Sequence, residues 1–168
     1  ITTKLGKLLR EIIDNRNTEQ TLENSLDLVA NYLAIQKIRY GDKLTATIDM
    51  DKHLAHMNIP RLIIQPLVEN AIIHGLEPKI GQWTLHIGAH MVGRQAVISI
   101  EDNGIGIAAT DIPEHLDDLA YTEHVGIYNI YRRLQLRYGD QAKLTIATQP
   151  GEGTTVTIIL PIAAEENV

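Results

Sequence analysis

The 168-residue sequence predicts a two-layer α/β sandwich, in which a mixed, mostly antiparallel sheet is covered by helices on one face and preceded by N-terminal helices. Two patterns support this prediction. Apolar residues recur at helical spacing up to about residue 40, and from Leu44 onwards alternating strand patterns intermix with helical ones. The hydrophobic content of 44% is enough for one core and too little for two large ones.

The first forty residues predict two helices. The first ends near Asn15, and the second begins around Thr18 to Thr21 and runs to about Tyr40, where Gly41 and Asp42 end it. The second helix is expected to turn five apolar residues inwards: Leu22, Leu26, Val29, Leu33 and Ile35.

The remaining chain predicts strands separated by two further helices. Pro60 is expected to open a helix in which Pro66 marks either a kink or a late true start. The polar stretch from Ile107 to His124 is long for a connection, so it is either a functional lid or partly disordered. The other predicted elements are a helix over 125–138 and strands over 44–50, 84–92, 96–102, 143–148 and 154–161, the last two forming a hairpin.

Composition excludes several classes of function. The net charge of -6 argues against a nucleic-acid partner, and the absence of cysteine excludes disulfides and thiolate chemistry. No apolar stretch is long enough to span a bilayer, so we expect no membrane contact by this chain. The absence of cysteine suits a reducing cytosol, and we expect a cytoplasmic location. The chain begins at Ile1 in mid-pattern and is expected to be a fragment of a longer protein.

One candidate site follows the strand that ends at Asp102. Gly104 and Gly106 permit positive φ and a close approach of backbone to a flat ligand. A carboxylate at a strand end accepts a hydrogen bond from an exocyclic amine such as that of adenine. The alternative is an ordinary tight turn built from Asp, Asn and Gly.

A second candidate lies in the helical segment around Asn70. Asn70 and His74 are four residues apart and therefore share one helical face. The amide oxygen suits Mg²⁺, His74 suits a phosphate oxygen, and Glu69 suits proton transfer from a nucleophile. The alternative is a solvated helix face whose C-terminal histidine favours the helix dipole.

A third candidate is the glycine-led helix that begins near Gly126. Free N–H groups at a helix N-terminus bind anions, and Arg132 and Arg133 add positive charge. The alternative is a common amphipathic helix that happens to start with glycine.

The three segments occur in one order and are followed by Gly153-Thr154-Thr155, and together they resemble the GHKL (Bergerat-fold) ATPase superfamily of gyrase, Hsp90, MutL and histidine kinases. The catalytic domains of LytS/YehU/YesM-type sensor histidine kinases are the most similar. Residues 65–75 match the N box, 102–107 the G1 box and 126–134 the G2 box, while 32–40 resemble the linker into the domain.

The resemblance implies a role for each matching residue. Asp102 would read the adenine amine, Thr154 would share a water with it, and Asn70 would hold Mg²⁺ on the phosphates. Glu69 would act as a base and His74 would face a phosphate. The remaining expected nucleotide contacts are Asn103, Gly104, Gly106, Gly126, Ile127, Asn129 and Arg132.

Two departures from the family pattern affect the expected activity. His124 stands where many relatives have the first glycine of the G2 box, which stiffens the hinge of the lid or adds a phosphate contact. The phosphoacceptor segment Pro-His-Phe-x-Phe-Asn is absent, since the chain contains no phenylalanine. We therefore expect the chain to bind ATP and Mg²⁺ and to transfer phosphate to a histidine outside it.

The implied organisation has three parts. Residues 1–40 would be a helical remnant of the dimerisation and phosphoacceptor region with its linker, 41–163 the ATP-binding domain and 164–168 a tail. The implied partners are the missing phosphoacceptor helix, a response regulator and a second copy in a homodimeric parent, which would be a membrane sensor. Two alternatives remain: a GHKL ATPase that releases phosphate, and an anti-sigma-type kinase or adenine-nucleotide-binding interaction module.

Overall fold

The computed structural model describes residues 18–163, so the predicted first helix and the tail after residue 163 lie outside the described part. The elements in chain order are β1 (Glu19–Thr21), α1 (Leu22–Tyr40), β2 (Leu44–Met50), β3 (Asn58–Pro60), α2 (Gln65–Asn70), β4 (Trp83–Val92), β5 (Gln95–Asp102), α3 (Val125–Tyr138), β6 (Lys143–Gln149) and β7 (Gly153–Pro161). None of the helices in residues 18–163 combines the length and apolar character needed to cross a bilayer.

The central sheet has five strands in the order β2-β4-β5-β7-β6. The β2–β4 pair is parallel, while the other three pairs are antiparallel. A separate two-stranded sheet joins β1 to β3. The prediction of a mixed, mostly antiparallel sheet is therefore confirmed.

One face of the sheet forms the core with the helices. Along β4, Leu85, Ile87 and Ala89 are fully buried, whereas His86 and His90 on the opposite face remain partly exposed. This alternation is what a sheet covered on one side requires. The helices contribute a buried stripe each: Leu22, Leu26, Val29 and Leu33 from α1, Leu67 and Val68 from α2, and Ile127, Ile130 and Leu134 from α3.

Helix α1 starts and ends at recognisable caps. The Thr21 hydroxyl accepts a hydrogen bond from the Asn24 N–H at 3.2 Å, and Gly41 at φ 58° ends the helix. The expectation that Ile35 points inwards was wrong, since its side chain is 64% exposed. At 100° per residue, Ile35 lies about 200° from the buried Leu33.

The segment before α2 also differs from the prediction. Pro60 opens no helix, because it ends β3 and pairs with Glu19. The helix begins only at Gln65, with Pro66 in its first turn, where the missing N–H costs nothing. After Asn70 the helix widens into a π-helical turn over Ala71–Leu76, a geometry often found at functional sites.

Candidate functional site

A cavity of about 490 Å³ lies between α2 with its π-helical turn, the end of β5, and the start of α3. Its apolar walls include Leu67, Ile100, Ile105, Ile107, Ile127 and Val156. Its polar lining consists of Asn70, His74, Asp102, Asp111, Glu123, His124 and Thr154. An apolar cleft of this size with a few polar groups is typical of a small-molecule site.

Asp102 occupies the end of β5 at the wall of this cavity. Its Oδ1 accepts a hydrogen bond from the Gly104 N–H at 2.8 Å. Burial raises the pKa of Asp102 above its usual value, while the hydrogen bonds from the Gly104 and Thr154 N–H groups and the nearby Lys79 charge act to lower it. The carboxyl group is thus held in place by backbone donors and can accept a hydrogen bond from a ligand.

The two glycines after Asp102 are required for different reasons. A Cβ at Gly104 would lie 2.3 Å from the carbonyl oxygen of Gly75, so only glycine allows this close approach. Gly106 has φ 71°, and a Cβ there would lie 2.3 Å from the Gln149 carbonyl oxygen. Of these two glycines, both of which permit positive φ, only Gly106 adopts it.

The Asn103 side chain turns away from the cavity. Its Oδ1 accepts from the Thr84 N–H at 2.8 Å, and its Nδ2 donates to the Gln82 carbonyl oxygen at 3.2 Å. Asn103 therefore ties the turn to the start of β4, and its side chain is not part of the cavity wall. A nucleotide contact by Asn103 stays a prediction.

Lys79 is a residue that sequence analysis missed. Its ammonium group donates to the Asn103 carbonyl oxygen, which places a positive charge close enough to Asp102 to lower the pKa of that carboxyl. Lys79 lies in a loop between the π-helical turn and β4 and belongs to none of the three motifs. No pattern in the sequence therefore marks Lys79 as a residue of the site.

Thr154 is held by a second threonine that was also missed. The Thr154 and Thr148 hydroxyls lie 2.9 Å apart, and Thr148 Oγ1 accepts from the Ile107 N–H at 2.8 Å. The Gly151 N–H donates to the Ile105 carbonyl oxygen at 2.8 Å. These bonds fasten the start of the lid to the β6–β7 hairpin.

Asn70 presents an unsatisfied amide to the cavity. Among the buried side-chain polar atoms of residues 18–163, Asn70 Nδ2 lacks a hydrogen-bond partner. Turning the amide by 180° would place Oδ1 in the same position, so the site fits either a phosphate oxygen or a cation. Within residues 18–163, no group of three His, Asp or Glu residues could hold a metal ion by itself.

Glu69 and His74 lie on different sides of the same segment. His74 lines the cavity, as the shared helical face predicted. Glu69 is not part of the lining. It accepts from Gln65 Nε2 of the same helix at 3.1 Å. Burial, and then the negative charge of Glu69, raises the pKa of Tyr32 on α1.

The start of α3 completes the cavity. Ile127 belongs to its wall, and a Cβ at Gly126 would lie 3.5 Å from Asn70 Nδ2, so Gly126 faces the same region. Asn129 and Arg132 are exposed and outside the lining, and Arg132 lies 3.9 Å from Asp117. Their predicted nucleotide contacts stay predictions.

Helix α3 is also tied to the segment before α2. The Arg133 guanidinium donates to the carbonyl oxygens of Arg61 and Leu62, the latter at 3.1 Å. Leu62 has φ 54°, a left-handed conformation that is rare for leucine. The predicted lid, residues 107–124, connects β5 to α3; it forms two short 3₁₀ turns, Ala109–Asp111 and Leu116–Tyr121, and buries Leu119.

Comparison with known proteins agrees with this arrangement. Residues 57–164 match the family of histidine kinase-, DNA gyrase B-, and HSP90-like ATPases, and residues 1–44 match a histidine kinase family. The chain therefore belongs to the histidine kinase-, gyrase B- and HSP90-like ATPase family, as the resemblance implied. The curated relatives that it matches include proteins named as sensor histidine kinases.

Two curated relatives illustrate the match. The chain is 32% identical to the sensor histidine kinase YesM of Bacillus subtilis (strain 168) over 161 residues, covering 96% of this chain and 27% of YesM. It is 35% identical to the sensor histidine kinase YpdA of Escherichia coli (strain K12) over 137 residues, covering 81% of this chain and 24% of YpdA. The chain thus spans about a quarter of the length of these relatives.

Solved structures share the fold. The histidine kinase domain of the blue-light activated kinase from Erythrobacter litoralis EL346 aligns with a TM-score of 0.62 at 20% identity, over 91% of this chain and 68% of that one. The nucleotide-free catalytic domain of histidine kinase ThkA aligns with a TM-score of 0.63 at 14% identity, over 88% and 98% of the two chains. The predicted fold class is therefore confirmed.

Proposed function

We propose that this chain binds ATP with Mg²⁺ and transfers the γ-phosphoryl group to a histidine outside the chain, as the catalytic domain of a two-component sensor histidine kinase. The observation that best supports this function is the half-buried Asp102 carboxyl at the wall of an apolar cavity of about 490 Å³. The adenine ring would occupy the apolar part, with its amine donating to Asp102.

The phosphates would be held by Asn70, His74 and the N-terminus of α3. Asn70 would bind Mg²⁺ through its amide oxygen, and the N-terminus of α3 at Gly126 would face the phosphate oxygens. When bound, Mg²⁺ would neutralise negative charge on the phosphates. His74 would add a hydrogen-bond donor from the cavity wall.

In the proposed transfer, an imidazole nitrogen of the external histidine forms a bond to the γ-phosphorus. The bond from that phosphorus to the bridging oxygen breaks, and ADP leaves with the electron pair. The proton on the other imidazole nitrogen passes to the Glu69 carboxylate. Glu69 directly precedes the cavity-lining Asn70 and is partly exposed, which supports this role, because an incoming helix can reach a partly exposed carboxylate.

The proposed partners follow from the histidine kinase match over residues 1–44 and from the named relatives. They are the phosphoacceptor helix of the parent, a second copy in a homodimer, and a response regulator that receives the phosphate. The parent would be a membrane sensor with this domain in the cytoplasm.

Calorimetric titration of ATP and GTP, each with and without Mg²⁺, tests the nucleotide site. We expect ATP to bind more tightly with Mg²⁺ and GTP to bind much more weakly, because guanine presents a carbonyl where adenine has its amine. No binding of ATP would contradict the proposal.

A second assay with γ-labelled ATP and a phosphoacceptor helix supplied separately tests transfer. Label on the helix histidine supports the kinase, whereas rapid release of free phosphate without label would favour an ATPase of the gyrase type. ATP binding with neither result would favour an interaction module.

A further inference from the structure

The peptide group between Asn103 and Gly104 is held from both of its sides. Its N–H, which belongs to Gly104, donates to Asp102 Oδ1 at 2.8 Å. Its carbonyl oxygen, which belongs to Asn103, accepts from the Lys79 ammonium group. Because a peptide group is planar, its carbonyl and its N–H turn together. By holding the carbonyl, Lys79 therefore fixes the direction of the N–H that orients the Asp102 carboxyl.

The backbone of Lys79 is itself fixed by two hydrogen bonds. Trp83, the only tryptophan of the chain, donates from Nε1 to the Lys79 carbonyl oxygen at 3.0 Å, and its side chain is 2% exposed. The Lys79 N–H donates to the Leu76 carbonyl oxygen at 2.8 Å. A buried indole N–H requires an acceptor, so the position of Lys79 is tied to that of Trp83.

The last residue of α1 contacts the chain on both sides of Lys79. The rings of Tyr40 and Trp83 meet edge to face, with centroids 4.7 Å apart and an angle of 62° between the planes. The Tyr40 hydroxyl donates to Glu77 Oε1. Two residues before Lys79 and four after it, the chain is thus packed against one tyrosine.

These contacts form a path from α1 to the carboxyl group, and most of the path runs outside the cavity. Of the described residues that line the cavity, Pro78 and Asp102 are neighbours of the path, whereas Tyr40 and Trp83 are not part of the lining. A substitution at Tyr40 can therefore alter ligand binding only if these contacts carry its effect to Asp102.

We propose that Lys79 is a positioning residue for adenine recognition, and that Tyr40, at the end of α1, holds it in place through Trp83. This inference rests on the proposed function of the site. It joins the helix that precedes the ATP-binding domain to the adenine end of the cavity, by hydrogen bonds and one contact between aromatic rings.

Titration calorimetry with adenosine, and with ATP in excess Mg²⁺, tests the role of Lys79. We expect Lys79→Met to weaken the binding of both ligands by the same factor, about three- to tenfold, because the Asp102 carboxyl loses its fixed orientation. Lys79→Arg keeps a charged donor and should recover most of the adenosine affinity. Lys143→Met is the matched control, because Lys143 is an exposed lysine on β6 and its loss should leave both affinities unchanged.

A double-mutant cycle tests the link to α1. Tyr40→Phe keeps the ring and removes the hydroxyl, and it should weaken adenosine binding about two- to fivefold. Because both residues act through one peptide group, the double variant Tyr40→Phe/Lys79→Met should bind adenosine no more weakly than Lys79→Met alone. Tyr131→Phe is the matched control, since it removes a hydroxyl that is bonded to Gln135 within α3 and should bind adenosine as the wild type does.

Each titration is run below the unfolding transition of every variant, so that a loss of folded protein does not imitate a loss of affinity. Unchanged adenosine binding by Lys79→Met, no recovery in Lys79→Arg, or additive losses in the double variant would overturn the inference while leaving the proposed function standing. A wild-type chain that binds neither adenosine nor ATP would overturn both proposals.

Discussion

Replacing Gly126 with alanine should weaken nucleotide binding without destabilising the fold. Gly126 lies in the first turn of α3, and an added Cβ would meet only Asn70 Nδ2 at 3.5 Å and Oδ1 at 3.9 Å. These are ordinary van der Waals distances, so the folded protein has room for the methyl group. The space it would fill is the space that the proposed phosphates need.

The Gly126→Ala substitution should raise the stability of the fold and lower the affinity for ATP. Alanine in place of a helical glycine stabilises a protein by up to about 1 kcal/mol, because the unfolded chain loses less conformational freedom. A methyl group between the helix N–H groups and a phosphate would break a hydrogen bond to a charged group. Such bonds contribute about 1.5–3 kcal/mol, so the ATP affinity should fall roughly ten- to hundredfold.

Thermal unfolding and ATP calorimetry on the same preparation measure both effects. Gly104→Ala is the matched comparison, since its Cβ would lie 2.3 Å from the Gly75 carbonyl oxygen, where no space exists. That variant should lose about 1–3 kcal/mol or more of stability. The reasoning would be refuted if Gly126→Ala bound ATP as tightly as the wild type, or if the two variants were destabilised alike.

Three further substitutions test the polar groups. Asp102→Asn should be more stable than the wild type at neutral pH, because burial raises the pKa of Asp102 and the contribution of this group to stability is lost as the pH rises through that pKa. Denaturant unfolding measures this gain. The same variant should bind ATP more weakly by about 1–3 kcal/mol, and an unchanged ATP affinity would contradict the adenine contact. Asn70→Ala should remove the strengthening of ATP binding by Mg²⁺ and leave adenosine binding intact, as calorimetry with and without the ion measures; a preserved Mg²⁺ effect would exclude Asn70 as a ligand. Lys79→Met removes a charge that lowers the pKa of Asp102, so on acidification the ATP affinity should begin to fall at higher pH than in the wild type. Superimposable pH profiles for Lys79→Met and the wild type would rule out this role.

Much of the site was predictable because its residues lie close together in the sequence. Asn70 and His74 are four residues apart, and Asp102 ends the strand that Gly106 follows, so local patterns place each pair at the cavity. That both pairs line the same cavity was implied only by the family resemblance. The strand pairing that brings Asp102 opposite Thr154 was not readable from spacing alone.

The missed residues depend on contacts between distant segments. Lys79 reaches the Asn103 carbonyl across 24 positions, and Thr148 meets the Ile107 N–H across 41. Neither contact leaves a periodic signal in the sequence. The outward position of Arg132, by contrast, was predictable, because Ile127, Ile130 and Leu134 define the buried side of α3 and Arg132 falls outside that stripe.

The lid is fixed at both ends, and this has a thermodynamic consequence. At its start, the Ile107 N–H is bonded to Thr148, and the neighbouring Ile105 carbonyl accepts from Gly151. Beyond its end, Arg133 fastens α3 to the Leu62 carbonyl. A loop with anchored ends has already lost most of its closure entropy during folding. Ordering it around a nucleotide therefore removes less conformational freedom, and more of the contact energy remains available as affinity.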